Sequence, residues 1–511
     1  MSDYSSSNYR IAKNTVFLSI RMIVVLAINL FTTRNVLQAL GVVDYGIYNV
    51  VCGFVAMFSF LNTSMSNGIQ RYFNYEYGKN GEDGANKVYN TSIYIQLILA
   101  ILVVVFVELI GIWYLQNKIV IPLDRLNAAK IIFQCSVIMF VMGILQAPFL
   151  AAVTAHEKMD FFAIVSVIDS ILKFGISLVI VHVAYDGLIL YGLLMTLACI
   201  ITFVLYFVYC KKNFTEIYFK PTFDKNMFKS MLGFSGWNLF GSSSGVIVDQ
   251  GINLVLNSFF GPVINAAHGI AIQINGAVQS FVVNIGMPIR PQVTQSYARG
   301  EIHRVMSLTY SVSKITCAIV LMLAIPMALE MDFLLYIWLG NNVPDHTSTF
   351  AIIILATSLI TNLNWATSGV VHATGHMRNY QIFGSLLRMS ALPISILALK
   401  WFSIPEISLI SVLVCQFLAH MVGLFILKSL IEFSILDYIN QIIIPLLIIM
   451  VISLILLFCI HMMLPSGWIR LFSISLSSVL IVGVLFYLFA LSSSERLAIK
   501  SFIKTRLIKT L

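Results

Sequence analysis

Seven charged side chains stand inside otherwise apolar runs: Arg21, Glu108, Asp169, Lys173, Asp249, Lys314 and Arg388. Their types define the chemistry open to them. The guanidinium of Arg21 offers paired donors of the kind that fit two oxygens of a phosphate. Its own run, NTVFLSIRMIVVLAINLF, holds no acid to neutralise it. Asp169 and Lys173 are four residues apart, so they share a helical face and can neutralise each other. Asp249 has Asn253 one turn further on, adding an amide that both donates and accepts. The bland counterparts are a salt bridge between Arg21 and Asp249 and a helix-internal pair for Asp169 and Lys173. Glu108 and Lys314 lie near the ends of their runs, where a long side chain can reach water.

The elements that position these residues follow from composition. The 511 residues are 59% hydrophobic and 10% charged, with a mean hydropathy of +0.91. Soluble domains carry roughly 25% charge. The apolar runs are about 20 residues long, enough to cross a bilayer as helices. The sequence therefore predicts an all-α integral membrane protein. Its 14 spans lie near 12–33, 46–66, 89–113, 128–150, 161–183, 187–210, 232–259, 265–288, 308–330, 349–371, 382–402, 406–428, 438–462 and 468–492. The first run is too long for the apolar region of a signal peptide and reads as a retained span. The longest loops are expected at 67–88, 211–231 and 289–307, with no inserted soluble domain. A charge at the bilayer centre costs about 2.5–3.5 kcal/mol on insertion scales, which makes the seven ionisable residues pointers to a polar interior.

If the N-terminus is cytoplasmic, 21 of the 31 Lys and Arg fall on the cytoplasmic side, six on the opposite side and the rest within spans. That bias predicts both termini inside and an even number of spans. The net charge of +9 is thus an orientation signal, and no basic cluster interleaved with aromatics suggests nucleic acid. The seven cysteines form no C-x-x-C pair, which argues against a metal or disulfide framework. No metal-ligand spacing or phosphate-binding loop appears, and no cofactor is expected.

The chain also repeats. DYGIYNVV around Gly46 matches AHGIAIQI around Gly269; Gly78 in EYGKNGED matches Gly300 in ARGEIHRV; Thr154, His156 and Lys158 match Thr374, His376 and Arg378. The offsets are 223, 222 and 220 residues, the length of six spans. Two halves of like orientation follow, related by an axis along the membrane normal: an N-lobe at 1–212, a connector at 213–231, a C-lobe at 232–430, and a span pair with a basic tail at 431–511. The connector KKNFTEIYFKPTFDK is either an amphipathic segment on the inner leaflet or a solvated loop. His156 and His376 occupy equivalent turns, with capping favoured over pH sensing. Pro288 and Pro291 around Arg290 read as a helix stop.

These features resemble the polysaccharide flippases of the multidrug, oligosaccharidyl-lipid and polysaccharide exporter superfamily, whose fold is MATE-like. The resemblance is carried by the two six-span lobes, the extra terminal pair, the Gly-Ile-Tyr at the start of the second span and the charges in spans one and seven. It implies translocation of an undecaprenyl-diphosphate-linked oligosaccharide across the bacterial inner membrane by alternating access, with membrane lipids and other polysaccharide-assembly proteins as partners. Arg21, Lys173, Asn253, Lys314 and Arg388 would then face a central cavity, and Asp249 would be a site for H⁺ or Na⁺. Arg388 stands where acidic partners for a Na⁺ cage would be wanted.

Amides add a polar wall: Asn238, Ser242, Asp249, Asn253 and Asn257 in span seven, and Asn265, His268, Asn275 and Gln279 in span eight. Such groups suit sugar hydroxyls and also glue helices. The second span, with VVCGFVAMFSF at its middle, lacks the extra arginines of peptidoglycan-precursor flippases, which points to an O-antigen or capsule type unit. The alternatives are a cation-coupled drug exporter, disfavoured by the excess of bases, and a membrane-embedded polymerase or glycosyltransferase. The latter has only Glu330, Asp332 and Asp345 as an outward acidic group.

Overall fold

Helices account for nearly all of the chain in the computed structural model, as expected where no water is present to satisfy an open backbone. The structure describes the backbone of residues 2–156, 158–182, 186–220, 224–286, 293, 296–297, 299–374, 376–491 and 496. Side chains are described there except at 2–20, 23, 67, 74, 78, 116, 234–238, 240–242 and 284–286. Pro288, Arg290 and Pro291, the basic tail beyond 496, and the side chains of Asn238 and Ser242 therefore lie outside the described residues.

The helices are α1 (Ser2–Ala56), α2 (Ser59–Asn117), α3 (Leu126–Ala155), α4 (Met159–His182), α5 (Gly187–Asn213), α6 (Lys225–Phe260) and α7 (Pro262–Gly286). They continue with α8 (Ile302–Leu329), α9 (Met331–Leu339), α10 (Thr347–Thr374), α11 (Arg378–Met389), α12 (Ala391–Phe402) and α13 (Glu406–Leu430). The last two are α14 (Ile435–Met463) and α15 (Trp468–Ala490). Eleven helices among the described residues are long and apolar enough to cross a membrane. Large apolar side chains point outward along them: Leu109 is 73% exposed and Phe472 66%, the reverse of a soluble surface. The chain is a multi-pass membrane protein.

Two expected loops turn out to be helical. Residues 67–88 continue α2, broken only at Gly81 (φ +59°), and the first expected turn is reduced to Gly41 (φ +73°) within α1. Left-handed φ costs an L side chain about 1–2 kcal/mol, so glycine suits both breaks. The second expected span is instead interrupted in its middle, at Met57 and Phe58 between α1 and α2. The outward segment after α8 forms the short helix α9.

By internal contacts the chain forms two compact units. One comprises Met1–Ile270, Trp338–Thr347 and Arg388–Ser411; the other comprises Ala271–Ile337, Ser348–Leu387 and Val412–Leu511. In the first unit α2 packs on α3, α1 on α4, α3 on α5, and α6 on α1 and α2. Arg125 clamps this unit at one end by bonding both Asp44 and Asp186. Asp186 also caps α5, accepting from the N–H groups of Leu188 and Ile189. Burial opposes its charge, but Arg125 and the two N–H groups outweigh it and hold Asp186 below its usual pKa.

At the opposite end the connector is docked, not loose. Asn86 Nδ2 donates to the carbonyls of Glu216 and Tyr218 at 2.7 and 2.9 Å. The N–H of Lys220 donates to Asn90 Oδ1 at 2.8 Å. Phe214, Glu216 and Ile217 are buried, and His156 bonds Glu216 while stacking on Phe214. This part of the connector is therefore not a plain solvated loop: these backbone polar groups are met by protein, while Tyr218 and Phe219 stay exposed.

In the second unit α14 and α15 pack on each other and on α8. Glu330, at the end of α8, is fully buried and receives Arg470 Nη2 at 2.9 Å and His461 Nδ1 at 2.8 Å. The acidic group expected to face outward is therefore not a group: Glu330 is sequestered, while Asp332 and Asp345 are exposed.

Candidate functional site

The first unit holds a cavity of about 350 Å³ built by α1, α3, α4 and α5. Arg21 and Lys173 both line it, together with Asn29, Gln146, Asp169 and Tyr206. Arg21 Nη1 donates to Ser166 Oγ at 3.3 Å, and its guanidinium carbon lies 4.9 Å from the centre of the Phe162 ring. The Ser166 hydroxyl donates onward to the Phe162 carbonyl at 2.8 Å, so its oxygen is left to accept from the arginine. The Arg21 Nε–H is buried and has no hydrogen-bond partner among the described residues. A guanidinium held by one hydroxyl and one ring, with a donor unused, has no carboxylate paired with it among the described residues.

Lys173 Nζ meets Asp169 Oδ2 at 2.7 Å, and the Thr202 hydroxyl, which donates to the Ala198 carbonyl at 3.0 Å, lies 3.4 Å from the other carboxylate oxygen. The helix-internal pair anticipated from the spacing is formed, and it lies inside the cavity wall beside Arg21. The alternative pair is not formed: among the described residues Arg21 makes no salt bridge. The charge facing Asp249 is Arg388 instead, which lies within electrostatic reach. Asp249 is exposed on α6. The approach of α12 to α6 explains this neighbourhood, because Gly251 lets Leu392 come so close that a Cβ would meet it at 2.7 Å. No group of three or more His, Cys, Asp or Glu suited to a metal occurs among the described residues.

Asn253, Asn257 and Asn265 are spent on one another, whereas Asn275 Oδ1 and Gln279 Nε2 are buried without a partner among the described residues. Asn253 Nδ2 donates to the Asn49 carbonyl at 3.2 Å, and Asn265 Nδ2 donates to Asn253 Oδ1 at 2.6 Å. Asn257 donates to Asn265 Oδ1 at 2.8 Å and to the Val120 carbonyl at 3.4 Å, and accepts from the Val120 N–H at 2.8 Å. Asn253 is thus engaged at both ends of its carboxamide, in a buried network separate from the Arg21 cavity. Close helix approach permits this network. Gly53 faces Gln250 and Asn253, and Gly46 faces the Pro262 carbonyl.

Lys314 belongs to the second unit, where it is only 5% exposed. It lines a cavity of about 390 Å³ with His303, Tyr310, Glu432 and Asp437. Glu108 accepts from Gln134 at 3.1 Å in an exposed setting. His376 bonds Thr374 within its own turn, the capping role favoured for it.

Sequence reading missed Ser166, Phe162, Gln146 and Tyr206 around Arg21. Asn29 and Arg21, and Ser166 and Ser170 with Asp169 and Lys173, recur at helical spacing. That pattern was the available signal for one wetted face.

No family model and no curated protein matches this sequence. Solved structures do match in fold. A multidrug resistance MATE family transporter of the MOP superfamily, in its inward-facing conformation, is similar at a TM-score of 0.65 and 13% identity, over 81% of this chain and 99% of that one. The lipid II flippase MurJ, inward closed, is similar at 0.65 and 16% identity, over 92% of this chain and 99% of its own. A MOP superfamily transporter from Pyrococcus furiosus, described as having a binding pocket of reverse polarity that suggests a different function, reaches 0.60 at 14% identity, over 82% and 95%. The chain has the fold these transporters share.

Proposed function

We propose that this chain is a flippase that carries an undecaprenyl-diphosphate-linked oligosaccharide, of the O-antigen or capsule repeat type, across the bacterial inner membrane by alternating access. It acts as a transporter and not as an enzyme. In this reading the chain makes 14 crossings with both termini cytoplasmic. Residues 1–212 and 232–430 form the two rocking lobes, 213–231 joins them, and 431–511 adds the terminal pair and tail.

The observation that carries the proposal is Arg21: a permanent cation within an apolar helix, lining a cavity, with a buried donor that no described residue answers. A diphosphate answers it with charge-assisted bonds. Lys173, though paired with Asp169, keeps further ammonium donors for the headgroup, while Lys314 and Arg388 are further bases for the headgroup or its path. Asn253 enters as a member of the amide network that fixes α6. The fold shared with a lipid II flippase supports a lipid-linked cargo, and other polysaccharide-assembly proteins are the partners such a cargo calls for.

The second reading, a cation-coupled multidrug exporter, is favoured by one observation, the exposed Asp249. Arg388, within electrostatic reach of Asp249, counts against a bound cationic drug, since like charges repel. Coupling to H⁺ or Na⁺ stays compatible with either cargo. In proteoliposomes, a fluorescent prenyl-diphosphate oligosaccharide becomes accessible on the far side only when the protein is present, and a cationic dye does not accumulate. Dye transport without oligosaccharide transport reverses the ranking. Asp249→Asn removes the response of the flipping rate to an imposed proton or Na⁺ gradient, with ungated flipping retained. An undiminished response excludes Asp249 from coupling.

A further inference from the structure

The connector brings three lysines to one place that the transport path does not use. Lys87, Lys220 and Lys225 line a cavity of about 600 Å³ in the first unit, with Asn86, Tyr218 and Asp224 among the other walls. The backbone at each lysine is fixed by a different device. Lys87 follows Asn86, whose amide holds the connector carbonyls; the Lys220 backbone is pinned by Asn90; Lys225 opens α6 behind its cap. The cap, Asp224, commits one carboxylate oxygen to the N–H groups of Asn226 and Met227, both at 3.0 Å. Asp83 is the other carboxylate in the lining. Neither forms an ion pair with the three ammoniums among the described residues. Tyr218 and Phe219, next to Lys220, are 49% and 59% exposed, as aromatics are at the level of lipid headgroups.

We propose that this cavity binds the phosphate of an anionic phospholipid from the adjoining leaflet. Three ammoniums carried on fixed backbone supply the charge, and the two aromatic side chains lie along the glycerol and upper acyl region. Lysines near a membrane surface each strengthen binding to anionic lipid by about fivefold, so three acting together give about a hundredfold. The proposed function enters only in naming the leaflet as cytoplasmic; the cavity and its ligand class stand apart from the cargo.

The test is native mass spectrometry of the full chain in detergent, titrated with phosphatidylglycerol or phosphatidylcholine. Wild type retains phosphatidylglycerol selectively. Each of K87Q, K220Q and K225Q weakens that adduct about fivefold, and the triple variant about a hundredfold. A triple arginine replacement keeps the adduct, and K118Q/K130Q, elsewhere in the same unit, leaves it unchanged. Full retention by the triple glutamine variant overturns the proposal, as does an equal loss in K118Q/K130Q, which marks diffuse charge attraction. Displacement by millimolar glycerol phosphate also overturns it in favour of a soluble phosphate site. If the triple glutamine variant does not fold, the three single variants decide. Flipping is not the readout, so failure of the cargo proposal leaves this result interpretable.

Discussion

Arg21→Ala slows flipping of a prenyl-diphosphate oligosaccharide by about 10- to 150-fold, the loss expected when one charge-assisted hydrogen bond of about 1.5–3 kcal/mol vanishes. Arg21→Lys falls between, because an ammonium keeps the charge but not the planar fork. The measurement is the initial rate in proteoliposomes, normalised to inserted, folded protein. Arg21 also joins α1 to α4 through Ser166 and Phe162, so a purely structural role has its own signature. In that case Arg21→Ala and Ser166→Ala lower the unfolding temperature alike, and the rate per folded molecule does not change. A wild-type rate in Arg21→Ala removes the residue from the transport path.

The second large effect is on stability. Glu330→Gln leaves Arg470 and His461 without the buried carboxylate that both bond. Removing one partner of a fully buried pair costs about 3–5 kcal/mol; the cost here lies below that, because the Arg470 and His461 side chains keep 14% and 22% of their exposure. Thermal unfolding in detergent therefore shows a marked drop for this variant. Pairing Glu330→Gln with Arg470→Met restores much of it, since an apolar side chain of similar size does not need the carboxylate. An unshifted midpoint in the single variant shows that water reaches the cluster. These three residues fasten α14 and α15 to α8, and transport measurements on Glu330 variants are meaningful only beside the stability data.

The contrast between Arg21 and Glu330 shows what the sequence could reveal. Arg21 was legible because its misfit is local: a charge among apolar neighbours needs nothing further along the chain to be noticed. The Asp169–Lys173 pair was legible for the same reason, a spacing of four on a helix. Glu330 stood at the end of an apolar run beside other acids, where exposure is the usual outcome, and its partners lie 131 and 140 residues later. Docking of the connector depends on Asn86 and Asn90 meeting carbonyls and an N–H about 130 residues away. Neither residue type nor local spacing signals such pairings. The apolar runs predicted the helices well but not their junctions. EYGKNGEDG holds Gly78, Gly81 and Gly84, and only Gly81 takes the left-handed turn, while Gly84 packs against the Glu76 carbonyl. Which glycine breaks a helix is decided by how the two flanking segments stack.

The Asn257 carboxamide closes on both backbone groups of Val120, and Val120 precedes α3 while Asn257 ends α6. If the two proposed halves part at that end during a cycle, these bonds must open together. Each opened group then finds water, and an exchanged amide bond changes the balance by only about 0.5–1.5 kcal/mol. A fastening of that kind releases and re-forms on thermal energy alone, whereas an arginine–carboxylate bridge in the same position would resist every turnover.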